Sequence, residues 1–166
     1  MTGRETEPTY SGTVGDYVND REPTVAATDR HSESAPSGLA IAFVDSSAMV
    51  ALADAGDASH TAAVAAYREL VEAGYLLFTT DIILAETYDL LRSGHGFEVA
   101  RQWLKACRIA VYPVEERDLT RARQRLLAAD LAPAYGLADA VSLVVMDRLG
   151  VTDVFAVDQT VLNASA

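Results

Sequence analysis

Asp45 in AIAFVDSSAMVAL, Glu86 in TTDIILAETYDLL, Asp139 in YGLADAVSLVVM and Asp158 in VFAVDQT are four carboxylates that share one kind of setting. Each lies where an apolar strand-like run stops or a helix-like run begins. In a parallel α/β sheet the carboxyl ends of the strands, and the helix starts beside them, open on a common crevice where ligands bind. Four acids gathered there repel one another unless a cation neutralises them. No Lys or Arg stands beside them in the motifs, and there is no His or Cys pair. Hard oxygen donors of this kind select Mg²⁺ or Mn²⁺ over Zn²⁺. Such an ion lowers the pKa of water and, in pairs, clamps both sides of a phosphodiester displacement.

Ser46 and Ser47 follow Asp45 directly. A hydroxyl there can bond the Asp45 carboxylate or a water, or it can cap a helix, and one side chain can do both. For Asp45 itself the simpler role is also a helix cap, and for Asp158 it is a turn. The apolar context that recurs around all four acids favours a shared site. Neither G-x-x-x-x-G-K-[ST] nor G-x-G-x-x-G occurs, so no phosphate-cradling loop competes with this reading. His31, His60 and His95 form no nucleophilic constellation and read as structural or solvated. Cys107 is the lone cysteine, which excludes an internal disulfide, fits a reducing cytoplasm and suits a packed thiol.

The elements that must carry these residues alternate. Strand-like runs are LAIAFVD, YLLFT, RIAVYPV and TDVFAVD, and helix-like segments separate them. Ser59 is expected to cap HTAAVAAYRELVEAG, which stops at Gly74, and Thr80 to cap DIILAETYDLLRSG. Helices are further expected in SAMVALAD, FEVARQWLKAC, EERDLTRARQRLLAAD and GLADAVSLVVMDRLG. Alternation of this kind implies a parallel sheet with right-handed crossovers. Residues 39–166 are read as one domain with a core large enough to stand without staples. Residues 1–38 hold seven acids against three arginines, with no apolar period, and read as a disordered acidic tail or a partner-binding arm.

The net charge of −11 argues against gripping nucleic acid by bulk electrostatics alone. Lys105 is the single lysine against twelve arginines. Arg117, Arg121 and Arg125, with Arg123 nearby, and Arg101, Lys105 and Arg108 form two helical stripes. Either could line a phosphate backbone, but a solvated helix face is the simpler reading. No apolar run approaches the length of a membrane span, and no secretory signal is evident.

Taken together, FVDSSAMVAL, TTDIILAETYDLLRSG and GLADAVSLVVMDRLGVTDVFAVD resemble a PIN-domain ribonuclease of the kind found as VapC toxins in toxin–antitoxin pairs. The resemblance runs from about residue 41 to 160. It implies a three-layer α/β/α sandwich around a central parallel sheet and Mg²⁺- or Mn²⁺-dependent hydrolysis of single-stranded RNA in the cytoplasm. The family's first Asp matches Asp45, its helix Glu matches Glu86, its third acid Asp139 and its fourth Asp158. The small hydroxyl two places after the first Asp matches Ser47. The resemblance also implies a homodimer and a cognate antitoxin that inserts into the site. Rival readings are a PIN nuclease for RNA processing or turnover without an antitoxin, and an inactive PIN-like binding module. A phosphoacceptor receiver domain is disfavoured, because adjacent acids after the first strand and a later strand-end Lys are both missing.

Overall fold

The computed structural model describes residues 39–128, 130–131 and 133–157. The acidic segment 1–38 and Asp158 lie outside the described residues. Ten elements alternate as expected: β1 (Ile41–Val44), α1 (Ser46–Ala53), α2 (His60–Glu72), β2 (Leu76–Thr80), α3 (Asp81–His95), α4 (Phe97–Ala106), β3 (Ala110–Tyr112), α5 (Glu116–Leu127), α6 (Leu137–Leu149) and β4 (Asp153–Phe155). β1, β3 and β4 are shorter than the apolar runs that announce them, whereas β2 keeps the five-residue length of YLLFT, shifted by one.

All strand pairs are parallel, in the order β3-β2-β1-β4. β1 is central, and its Ala42, Phe43 and Val44 are wholly buried, as a strand covered on both faces must be. The Phe43 ring meets Phe78 of β2 edge-on at 5.5 Å. Successive strands step from β1 through β2 to β3, and β4 then returns to the other side of β1. The crevice between β1 and β4 is therefore the topological switch point, where ligands bind in open α/β sheets.

Right-handed crossovers in opposite directions put α1 to α4 on one face and α5 and α6 on the other. The packing of α1 on α2 and α3, of α3 on α4, and of α5 on α6 agrees with this three-layer arrangement. α6 is buried from Ala140 to Met146, so it anchors its own first turn firmly. Among the described residues no helix is long and apolar enough to cross a membrane.

The helix signals held unequally. The Thr80 hydroxyl accepts from the Ile83 N–H at 3.3 Å, as its position before α3 required. The chain leaves α2 through Gly74 at φ +81° and α6 through Gly150 at φ +67°, conformations that suit glycine. Ser59 does not cap α2. Its backbone is already helical (φ −91°, ψ −3°), whereas a capping side chain needs an extended residue. Thr80→Ala is expected to lower stability by about 1 kcal/mol. Urea unfolding measures this, and a change within error would show that the α3 cap is dispensable.

Candidate active site

Asp45 stands directly after β1, and its backbone N–H is tied to the Phe155 carbonyl of β4 at 3.0 Å. It is 4% exposed and has extended geometry, so it serves as the N-cap of α1. Its Oδ2 accepts from the Ser47 N–H at 3.0 Å and from the Ser47 hydroxyl at 2.6 Å. Among the described residues, both hydrogen bonds to this carboxylate arrive at Oδ2. The cap reading and the site reading are thus compatible, because one oxygen caps while the other stays available. The Ser47 Oγ also accepts from the Val157 N–H at 3.2 Å, which pins the chain leaving β4 against the chain leaving β1.

Glu86 lies in the second turn of α3 and is half-buried. Burial pushes its carboxyl above the usual carboxylate range. A hydrogen bond with the Ser46 side chain pulls it back, while the charges of Asp45 and Asp139 raise it further. The charges of Asp45 and Asp139 therefore both reach Glu86. Asp139 sits in the first turn of α6, where its Oδ2 accepts from the Gly136 N–H at 2.8 Å. The helix dipole favours an ionised carboxylate there.

The donor set fits a hard divalent cation: three carboxylates from three different segments, two of them raising the third, with no Lys or Arg among the causes. Among the described residues no group of three or more His, Cys, Asp and Glu side chains is placed so that it could hold a metal ion as it stands. Asp158 lies outside those residues, one position beyond the Val157 that Ser47 holds.

The remaining candidates fall away from this crevice. His60 Nδ1 contacts the Ala51 carbonyl at 2.7 Å, and His95 pairs with Asp54 at 3.3 Å; both are structural. Cys107 is partly buried, and burial raises its thiol pKa, so it is a poor nucleophile. Three members of the basic stripes are engaged by acids: Arg101 by Glu98, Arg117 by Glu115 and Arg125 by Asp147. Ser47, matched by its place two positions after Asp45, is the serine whose hydroxyl bonds that carboxylate.

An open parallel sheet in the order 3-2-1-4, with acids directly after β1, in α3 and in the first turn of α6, is the frame of a PIN-type α/β domain. The PIN-domain family profile matches residues 42–163, and the chain belongs to that family. Among individual relatives, it is 30% identical over 118 residues to the 23S rRNA-specific endonuclease VapC20 of Mycobacterium tuberculosis, found in two strains. The match covers 70% of this chain and 88% of the relative. The crystal structure of VapC20, described as a sarcin–ricin loop cleaving toxin, superposes with a TM-score of 0.64 at 28% identity. It covers 75% of this chain and 95% of the other.

Proposed function

We propose that this protein is a divalent-metal-dependent endoribonuclease that hydrolyses phosphodiester bonds in single-stranded RNA, as the toxin of a toxin–antitoxin pair. The observation that carries the proposal is Asp45 set directly after β1 with its backbone tied to β4 at the switch point, where the charges of Asp45 and Asp139 act on the half-buried Glu86, on a fold shared with a ribosomal RNA endonuclease.

Asp45, Glu86 and Asp139 would hold Mg²⁺ or Mn²⁺ directly or through waters, with Asp158 completing the set or binding a second ion. A bound ion supplies Lewis acidity at the scissile phosphate and makes water a better nucleophile near neutral pH. The chain's own residues do the positioning. Ser47 and the α1 backbone fix Asp45, Ser46 engages Glu86, and Gly136 orients Asp139. Hydrolysis adds water across the P–O3′ bond. That bond breaks, a new P–O bond forms, and the products carry a 5′-phosphate and a 3′-hydroxyl.

The acidic surface supplies little general attraction for RNA, so recognition falls to the crevice itself. A homodimer and a cognate antitoxin that occupies the crevice belong to the same reading. The substrate of VapC20 makes 23S ribosomal RNA the first RNA to test. Purified protein incubated with ribosomal RNA and Mn²⁺ is expected to give discrete cuts, to lose them in excess EDTA and to regain them when Mn²⁺ is restored. Cleavage that persists unchanged in EDTA would remove the metal from the mechanism.

A further inference from the structure

The central strand β1 is paired unevenly at its carboxyl end. Its register with β2 runs from Ile41↔Leu76 to Phe43↔Phe78, whereas with β4 it reaches one residue further, to Val44↔Phe155. Past Phe78 a side chain takes over on the β2 side: the Thr79 hydroxyl donates to the Val44 carbonyl at 2.9 Å. The N–H of that same peptide group belongs to Asp45, and it donates to the Phe155 carbonyl of β4 at 3.0 Å. Val44 and Thr79 are both 0% exposed, so water cannot stand in for the hydroxyl. A buried carbonyl needs a partner, and Thr79 supplies it.

We propose that Thr79 is a positioning residue for Asp45, its hydroxyl and the β4 backbone gripping opposite ends of the peptide group from which Asp45 hangs. A peptide group is a rigid plane. Held at one end, the plane can still tilt about that bond. Held at both, it fixes the direction in which the Asp45 Cα leaves the sheet, and the N-cap bonds to Ser47 then settle the carboxylate. Two adjacent threonines divide these tasks, because the Thr80 hydroxyl caps α3 while the Thr79 hydroxyl ties β2 to β1. Sealed in the core, Thr79 can touch no substrate and acts only through the backbone. The effect on chemistry can still be large, since a misplacement of about 1 Å can cost about a hundredfold in rate.

This inference rests on the active-site reading of Asp45 above, and the experiment separates the two. Thr79→Val keeps the shape and removes the hydroxyl, Thr79→Ser keeps the hydroxyl, and Thr80→Ala weakens the neighbouring cap without touching the Val44–Asp45 peptide. Each is compared with the wild type by amide hydrogen exchange without metal and by kcat and KM for RNA cleavage. In Thr79→Val the Asp45 amide is expected to exchange about tenfold faster, as local opening does when one hydrogen bond is lost. The amides of Ala42 and Phe43 should change less. In Thr80→Ala the Asp45 amide should move no more than those two. The kcat of Thr79→Val is expected to fall about tenfold, with KM for RNA near the wild-type value. Thr79→Ser is expected to recover most of both losses. Unchanged exchange at Asp45 in Thr79→Val would overturn the assignment. So would equal acceleration of all three amides, which traces the loss to global stability, or equal losses in the Val and Ser variants, which trace it to packing. Faster exchange at Asp45 with wild-type kcat would also overturn it, because the peptide would then be held for the fold alone. If the wild type cuts no RNA, the active-site reading falls, while exchange at Asp45 still decides whether Thr79 holds that peptide.

Discussion

Asp45→Asn is expected to reduce RNA cleavage by at least about a hundredfold while leaving the fold intact, a loss on the scale of removing one preorganised charge-stabilising group from an active site. The substitution is informative because Asp45 has two functions that asparagine divides. Asparagine caps helices as well as aspartate does, so its side-chain oxygen can still accept from the Ser47 N–H and hydroxyl, now made at 3.0 and 2.6 Å. The backbone bond from Asp45 to the Phe155 carbonyl is untouched. What disappears is the negative charge at a 4% exposed position beside Glu86 and Asp139. On the proposed metal reading a cation loses one of its three acids, and Glu86 loses one of the charges that raise its carboxyl. Melting temperature, circular dichroism and cleavage rate measured on the same preparation make the test. A variant that melts like the wild type and still cuts at the wild-type rate would show that Asp45 is a cap and nothing more.

The candidate residues are legible where a local structural role marks the same position. Asp45 and Asp139 stand at helix starts, the boundaries that alternation in a sequence marks best, whereas Glu86 lies in the second turn of α3, where an acid interrupts an apolar run. Thr80 was readable for the same reason. Ser59 was misread because the residue type was right for a cap but its backbone is already helical, and a type alone does not carry a dihedral angle. Ser47 is singled out by its place two positions after Asp45, and its hydroxyl bonds that carboxylate at 2.6 Å.

The largest feature that sequence reasoning passed over is a charged pair in the interior. Asp118 and Arg148 are thirty positions apart on two helices rich in charge, where a carboxylate and a guanidinium are by default solvated. In the fold they meet in two parallel bonds, Nε to Oδ1 and Nη2 to Oδ2, both 2.9 Å. Arg148 also donates to the Tyr112 hydroxyl at 2.9 Å and lies over that ring at 5.1 Å. Asp118 Oδ2 further accepts from the Glu115 N–H at 3.1 Å, closing the start of α5. One cluster therefore joins β3, the beginning of α5 and the end of α6, the helix whose other end carries Asp139.

Asp118→Ala is expected to destabilise the protein by about 3–5 kcal/mol, because it leaves a guanidinium without its counterion in a site too enclosed for water to replace it. The side chains of Asp118 and Arg148 are 2% and 13% exposed. The Arg117–Glu115 pair provides the control, with side chains 56% and 44% exposed. Arg117→Ala is expected to cost less than about 1 kcal/mol, as surface pairs do. A loss of 3–5 kcal/mol is a large part of the roughly 5–15 kcal/mol that holds a domain folded, so Asp118→Ala should unfold at much lower urea concentration. Removing both charges tests the cause. Asp118→Leu with Arg148→Met replaces the pair by apolar groups and is expected to recover much of the loss, since an isolated buried charge costs more than a missing pair. If Asp118→Ala costs no more than Arg117→Ala, the pair is not a clamp. If the double variant is as unstable as the single one, the cost lies in the cap at Glu115 and in lost packing, not in the stranded charge.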